Sequence, residues 1–230
     1  MTGDAVRADT DEVVVFDVNE TLSDLAPLGP AFAAAGADAG LAATWFAGIL
    51  RDGFAASLAG DDVAFADIAR TSASILLAAH GAARPEDGAA SVMEALQSLE
   101  VHDDVVPGVG ALAPLADLVT LSKGSTAVGR VLLERAGVLG SFTPLLSVED
   151  APAWKPHPSS YAYAADVCGT APERMLLVAV HPWDVHGAHA AGMRTAWLNR
   201  AGGAWPDYFT APDVEAPDLP ALAARLRDGR

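Results

Sequence analysis

Glu12-Val13-Val14-Val15-Phe16-Asp17-Val18-Asn19-Glu20-Thr21-Leu22 is the stretch around which the chain is organised. Its four consecutive apolar residues, three of them β-branched, predict a strand buried on both faces, as in a parallel sheet. Asp17 ends the apolar run, and polar residues follow. Because open α/β sheets bind ligands at the carboxyl ends of their strands, Asp17 is a candidate functional carboxylate. The alternative is that Asp17 caps the next turn.

The composition suits a folded protein with a large core. The chain has 230 residues, of which 51% are apolar, enough for one domain or a core carrying an inserted one. No apolar run approaches the ~20 residues that span a bilayer. Cys168 is the only cysteine, which predicts no disulfide framework and a cytoplasmic location. Residues 1–10 are polar and acidic without a basic-then-apolar pattern, so we expect no signal segment there.

The net charge of −16 argues against nucleic acid or an anionic membrane as a partner. An anionic small-molecule substrate would have to meet a locally positive site, so the few lysines and arginines are informative. A homodimer stays open as an alternative to a monomer.

Residues 31–100 are rich in alanine and carry helical spacing of apolar residues. The predicted helices are one that carries Trp45 and ends at Asp52-Gly53, one capped by Asp61 or Asp62, and one opened by Asp87. This segment predicts an all-helical insertion of about seventy residues.

Strands and helices alternate after Pro107-Gly108, which we interpret as a boundary. The predicted strands are residues 117–121, 143–148, 175–180 and 195–198. Strands that alternate with helices of about ten residues predict an α/β fold with a doubly wound parallel sheet.

Four polar clusters follow the predicted strands: Asp17, Ser122-Lys123, Lys155 and Asp184. The carboxyl ends of parallel strands share one edge, so these residues are expected to converge. Lys155 would keep Asp17 ionised and offset charge in the transition state. Ser122 would donate a hydrogen bond, and Asp184 would orient the lysine or a water. The set predicts nucleophilic catalysis by Asp17.

Four segments resemble motifs I to IV of the haloacid dehalogenase (HAD) superfamily: residues 16–22, Leu121-Ser122-Lys123-Gly124-Ser125, Lys155-Pro156 and residues 180–184. The resemblance implies a HAD-like Rossmannoid core formed by residues 1–25 and 101–230. It also implies that residues 26–100 form an inserted all-helical cap domain.

Within the superfamily, the chain is most similar to the type II 2-haloacid dehalogenases. Asn19 stands where phosphatase members carry a second acid, and Ala179 stands where they carry a further magnesium ligand. Tyr161 and Trp183 match dehalogenase positions. The resemblance implies an enzyme without a metal or other cofactor. Asp17 would displace halide from a small 2-halo carboxylic acid, and water would hydrolyse the aspartyl ester.

The substrate side departs from the family pattern. Ala37 stands where dehalogenases carry a cap arginine that grips the substrate carboxylate or the halide. Arg51 or Lys123 could supply that cation, although Arg51 better suits a solvated helix end, and Lys123 suits an exposed loop as well as it suits this role. Motif IV carries His181 in place of an asparagine, and His181 is a candidate general base or a backbone-bonded histidine.

Three further residues are candidates for substrate binding. Asn19 and Thr21 follow the nucleophile in motif I, and Trp45 could wall an apolar pocket or belong to the core. Glu20, where dehalogenases commonly have glycine, has no explanation in the sequence. Two other functions stay open: a HAD phosphatase that uses Mg²⁺, and a binding protein that keeps the fold without the activity.

Overall fold

A computed structural model describes residues 13–228 and contains the predicted parallel sheet. The described part has one six-stranded sheet of order β3-β2-β1-β4-β5-β6, and every neighbouring pair is parallel. The strands are β1 (Val13–Phe16), β2 (Asp117–Ser122), β3 (Phe142–Ser147), β4 (Met175–Ala179), β5 (Arg194–Leu198) and β6 (Val214–Ala216). The doubly wound α/β prediction is confirmed, and β6 is a strand that the sequence did not predict.

The central position of β1 follows from its apolar run. Its four residues pair in register with β2 on one side and β4 on the other, and all four are buried. Val13 and Val15 pack into one hydrophobic cluster, and Val14 and Phe16 pack into the other. Apolar layers therefore cover both faces of the strand, and its carboxyl end places Asp17 in the middle of the sheet edge.

Four helices follow β1: α1 (Leu28–Ala34), α2 (Leu41–Ala59), α3 (Phe65–Ala79) and α4 (Pro85–Gln97). They pack against one another, and the chain returns to the sheet next to a bridge between Ser23 and Val101. We retain residues 26–100 as the proposed cap domain on this basis.

The predicted end of α2 at Asp52-Gly53 is wrong. The helix continues to Ala59 and ends at Gly60, which has a left-handed φ of 88°. Gly53 serves packing instead: a Cβ built on it would lie 2.0 Å from a ring carbon of Trp154. Glycine allows the loop after β3 to approach the helix closely.

Other predicted boundaries also shift. Ala64, not Asp61 or Asp62, precedes α3, and its side chain makes no capping hydrogen bond. The predicted boundary at Pro107-Gly108 is wrong: both residues lie within a helix, where Gly108 allows close packing against Leu219. The remaining helices are α5 (Val105–Leu112), α6 (Thr126–Arg135), α7 (Pro158–Cys168), α8 (Pro182–Ala190) and α9 (Leu219–Asp228).

The interpretation of residues 1–10 lies outside the described residues. Within residues 13–228, no helix combines the length and the apolar character that a membrane crossing requires.

Candidate active site

Asp17 is the first residue after β1, and its buried carboxylate contacts three side chains. Lys155 Nζ donates to Oδ1 at 2.9 Å, and Thr21 Oγ1 donates to Oδ2 at 2.7 Å. The Nδ1 atom of His181 lies 3.0 Å from Oδ2. Thr21 Oγ1 also accepts the backbone N–H of Val180, which fixes the hydroxyl so that its proton points at Asp17.

Lys155 links Asp17 to a second carboxylate. Its Nζ donates to Asp184 Oδ2 at 2.6 Å, and the lysine side chain is fully buried. Tyr161 of α7 donates its hydroxyl to Asp184 Oδ1 at 2.6 Å. Both oxygens of Asp184 therefore accept hydrogen bonds, and the ammonium lies between two carboxylates, as a buried cation requires.

The charges of this group stabilise one another. Burial opposes ionisation of Asp17, but Lys155 and His181 outweigh it and hold the pKa of Asp17 far below its usual range. Burial likewise opposes the charge of Lys155, whose pKa is nevertheless raised by Asp17 and Asp184. Asp17 is therefore an ionised carboxylate and Lys155 an ammonium at neutral pH.

His181 lies between two carboxylates. Its Nε2 lies 2.7 Å from Oε2 of Glu20, on the side opposite Asp17. Burial lowers the pKa of His181, but the hydrogen bonds to Asp17 and Glu20 raise it overall to about 9. The imidazole is therefore protonated at neutral pH while Asp17 is ionised.

Lys123 extends into an aromatic enclosure. Its Nζ lies 3.6 Å from the ring centre of Trp183, 3.9 Å from that of Phe54 and 5.7 Å from that of Trp154. Within the described residues, this atom is buried and has no hydrogen-bond partner. Burial, followed by the charge of Lys155, lowers the pKa of Lys123 well below its usual value.

Ser122 and Asn19 lie beside this group. Ser122 is buried at the end of β2, and its Oγ accepts the backbone N–H of Gly124 at 3.0 Å. Asn19 lines a cavity of about 80 Å³ that reaches from Ser125 to Phe65 of α3. Ser122 therefore shapes the motif II turn, and Asn19 faces the space between the sheet edge and the helices.

Arg51 and Trp45 lie elsewhere. Arg51 has 76% of its side-chain surface exposed and pairs with Asp52 at 2.8 Å. Trp45 is buried inside the helical segment, where its indole N–H donates to the carbonyl of Ala69. Ala37 also packs against the core. Arg51, the one cation among these three residues, is paired with Asp52 and is not available to Asp17. We remove Arg51 and Trp45 from the proposed substrate site.

Comparison with known sequences agrees with this geometry. A sequence profile described as haloacid dehalogenase-like hydrolase matches residues 12–192, which include Asp17, Ser122, Lys155 and Asp184. The chain belongs to the haloacid dehalogenase-like hydrolases.

Curated relatives of this hydrolase are dehalogenases. The (S)-2-haloacid dehalogenase of Xanthobacter autotrophicus is 29% identical over 191 residues, which are 82% of this chain and 75% of that enzyme. Haloacetate dehalogenase H-2 of Moraxella sp. (strain B) is 39% identical over 105 residues. That match spans about half of each protein, 46% of this chain and 47% of the relative.

Solved structures match nearly the whole hydrolase. The L-2-haloacid dehalogenase of X. autotrophicus with chloropropionic acid covalently bound is 26% identical, with a TM-score of 0.85. The match covers 94% of this chain and 98% of that one. The HAD-like fold predicted from the motifs is thereby confirmed.

Sequence reasoning missed two features of the site. Glu20 was noted without a role, yet its side chain meets His181. The second feature is Trp154, which precedes Lys155. Its ring packs against Gly53 and is one of the three rings around Lys123. An aromatic residue next to a motif lysine was the available signal for Trp154. The pairing of Glu20 depends on the tertiary fold.

Proposed function

We propose that the protein hydrolyses small 2-halo carboxylic acids through a covalent ester on Asp17. The observation that carries this proposal is the buried group of Asp17, Lys155 and Asp184, in which one ammonium keeps the carboxylate ionised. Asn19 supports attack on carbon, because an acid two residues after the nucleophile would suit phosphoryl transfer. The names of the curated relatives supply the substrate class.

The reaction has two steps. An oxygen of Asp17 attacks the halogen-bearing carbon, the carbon–halogen bond breaks, and halide leaves with the bonding electrons. Water then adds to the carboxyl carbon of Asp17, and the carboxyl–alkoxide bond breaks to release a 2-hydroxy acid. Lys155 and Thr21, which already donate to the two oxygens, would stabilise negative charge on the tetrahedral adduct.

Lys123 is the proposed site of the departing halide. The buried Lys123 amine has no hydrogen-bond partner, so it can bind a proton together with an anion, and the faces of Trp183 and Phe54 exclude water around it. A substrate carboxylate would need several donors, whereas a weakly hydrated halide needs one cation and an apolar wall. Lys123 would thus provide the positive charge that an arginine at position 37 would have provided.

The remaining candidates have supporting roles in this proposal. Thr21 and Tyr161 orient Asp17 and Asp184 through their hydroxyls, and Ser122 holds the turn that carries Lys123. Asn19 lies two residues after the nucleophile and lines a cavity together with Val18 and Ser125, and we propose that it contacts the substrate.

The proposed reaction uses no metal. Mg²⁺ prefers several oxygen ligands in near-octahedral geometry. The ammonium of Lys155 already lies between the carboxylates of Asp17 and Asp184, and Asn19 and Ala179 supply no further acid. These residues do not fit magnesium, which disfavours the phosphatase alternative. We further propose a cytoplasmic location, from the single Cys168.

Halide release tests the proposal. The purified protein is incubated with 2-chloropropionate, 2-bromopropionate and fluoroacetate, and free halide is measured against an Asp17→Asn control. We expect halide from at least one substrate and none from the control. No release by folded wild-type protein from any of them would contradict the proposal and favour a binding protein.

A further inference from the structure

Glu20 lies at the end of a line of side chains that leads to the nucleophile. Its Oε2 lies 2.7 Å from Nε2 of His181, whose Nδ1 lies 3.0 Å from Oδ2 of Asp17. We propose that His181 and Glu20 form the proton-transfer pair of ester hydrolysis, with His181 as the general base and Glu20 as the residue that positions it. This inference rests on the proposed function.

The backbone of Glu20 is built into this position. The φ of Glu20 is 63°, in the left-handed region. Within residues 13–228, Glu20 is the only non-glycine residue with a positive φ. Nε2 of His102 lies 2.9 Å from the Glu20 carbonyl oxygen, and Arg200 donates to the same oxygen at 3.4 Å. Asp104 in turn holds the Arg200 guanidinium with two hydrogen bonds. A strained conformation persists only where the surroundings fix it, as they do here.

The other neighbours of His181 are uncharged rings. Phe46 of α2 stacks on the imidazole with ring centres 6.4 Å apart, and Trp183 of α8 lies 5.0 Å away. Lys155 lies on the far oxygen of Asp17. The protonation of His181 therefore depends mainly on the carboxylates of Asp17 and Glu20.

Alkylation of Asp17 changes that balance. The ester carries no charge, so His181 loses one of its two carboxylate partners and its pKa falls from about 9. The imidazolium then releases its Nδ1 proton to solvent. Glu20 accepts the hydrogen bond of the remaining Nε2 proton, so the neutral imidazole keeps Nδ1 free on the side of Asp17.

Neutral His181 can then act on water. One water proton moves to Nδ1 as the water oxygen adds to the carboxyl carbon of Asp17, and the other moves to the departing alkoxide. The products are the 2-hydroxy acid, the Asp17 carboxylate and the imidazolium, which is the resting state. The proton that the overall reaction releases to solvent therefore comes from His181. It is released together with the halide, before the ester is hydrolysed.

Burst kinetics of three variants, with substrate in excess over enzyme, test the pair. Glu20→Gln keeps a hydrogen-bond acceptor without the charge, His181→Gln removes the base, and Glu20→Gly removes the carboxylate together with the backbone strain. Halide is measured by rapid quench, and the ester is measured as an added mass on the Asp17 peptide. A pH indicator times proton release.

We expect each variant to release about one halide per enzyme in a fast first turnover and then to slow at least about 10²-fold. The ester accumulates on Asp17. We expect Glu20→Gly to remain folded at the assay temperature, as thermal unfolding will measure, so its slow hydrolysis cannot result from a damaged fold. In His181→Gln, the proton appears with hydrolysis instead of with halide.

Three outcomes would overturn the assignment. Variants that turn over like wild type would exclude the proton-transfer role of His181 and Glu20 but would leave the proposed function intact. A slow first turnover without ester would place His181 in the displacement step instead of hydrolysis. A wild-type protein that releases no halide would overturn the proposed function and the pair with it.

Discussion

The ammonium of Lys155 lies 2.9 Å from the carboxylate of Asp17, although 138 positions separate the two residues in the chain. Asp17 follows β1, and Lys155 lies in the loop after β3, two strands away in the sheet. The parallel order brings both strand ends to one edge, and Asp184 after β4 completes the ion group. Breaking such a buried group leaves an uncompensated charge.

The rate of the first turnover should increase with pH. While His181 is protonated, its hydrogen bond stabilises the ground state of the Asp17 carboxylate and reduces its nucleophilicity. Loss of this proton near pH 9 should therefore accelerate halide release in wild type. Glu20→Gln should move the rise to lower pH, and His181→Gln should abolish it. A flat profile in wild type would contradict the ion pair.

The same ion pair should make stability depend on pH. The folded-state pKa of His181 is raised from 6.5 to about 9, so its stabilisation is complete below pH 6.5 and is lost as the pH rises through 9. The loss should be roughly 3 kcal/mol. Urea unfolding at several pH values measures it, and the difference between wild type and His181→Gln should shrink as the pH rises.

Lys123→Met should abolish halide binding. Bromide and iodide quench tryptophan fluorescence, and Trp183 and Trp154 lie against Lys123. Because a halide stabilises the ammonium, binding should tighten as the pH falls through the lowered pKa of Lys123. Arg51→Gln is the matched control, since that side chain is exposed. Saturable quenching in Lys123→Met would place the halide elsewhere.

Tyr161→Phe should weaken both the site and the fold. The change removes the donor to Asp184 Oδ1 and should cost about 1–3 kcal/mol of unfolding free energy, because a buried acceptor loses its partner. Halide release should slow about tenfold as Asp184 holds Lys155 less firmly. Tyr163→Phe removes the same atom on the same helix and should change neither quantity.

Gly53→Ala should destabilise the protein by about 1–3 kcal/mol. The added Cβ would overlap the ring of Trp154, which precedes Lys155, so the Michaelis constant should rise as well. Gly48→Ala is the control on the same helix, because a Cβ there has no atom within 4 Å. Alanine should stabilise α2 at that position by up to about 1 kcal/mol. Equal thermal stability of the two variants would refute the packing role.

Some of this architecture could be predicted from the sequence, because the buried strands mark their own ends. The apolar run of β1 stops at Asp17, whereas Lys155 and Asp184 lie in the segments that follow two later predicted strands, and parallel topology made their convergence an expectation. Gly53 was misinterpreted because a glycine in a helix indicates either an end or a close contact. Trp154, which decides between the two, lies about a hundred residues away.

The pairing of Glu20 with His181 was beyond the sequence for a different reason. It depends on a left-handed turn at Glu20 that His102 and Arg200 hold from distant segments. The glycine that dehalogenases commonly carry at this position was a signal for the left-handed turn, but no local pattern identifies His181 as the partner of the Glu20 side chain.

Covalent catalysis by Asp17 is tested most directly by one turnover in heavy-oxygen water with enzyme in excess over 2-chloropropionate. Hydrolysis of an aspartyl ester transfers the solvent oxygen to the Asp17 carboxylate, so mass spectrometry should find heavy oxygen in the Asp17 peptide and ordinary oxygen in the lactate. Heavy oxygen in the lactate with an unlabelled peptide would show that water attacks the substrate directly, and would contradict the ester mechanism.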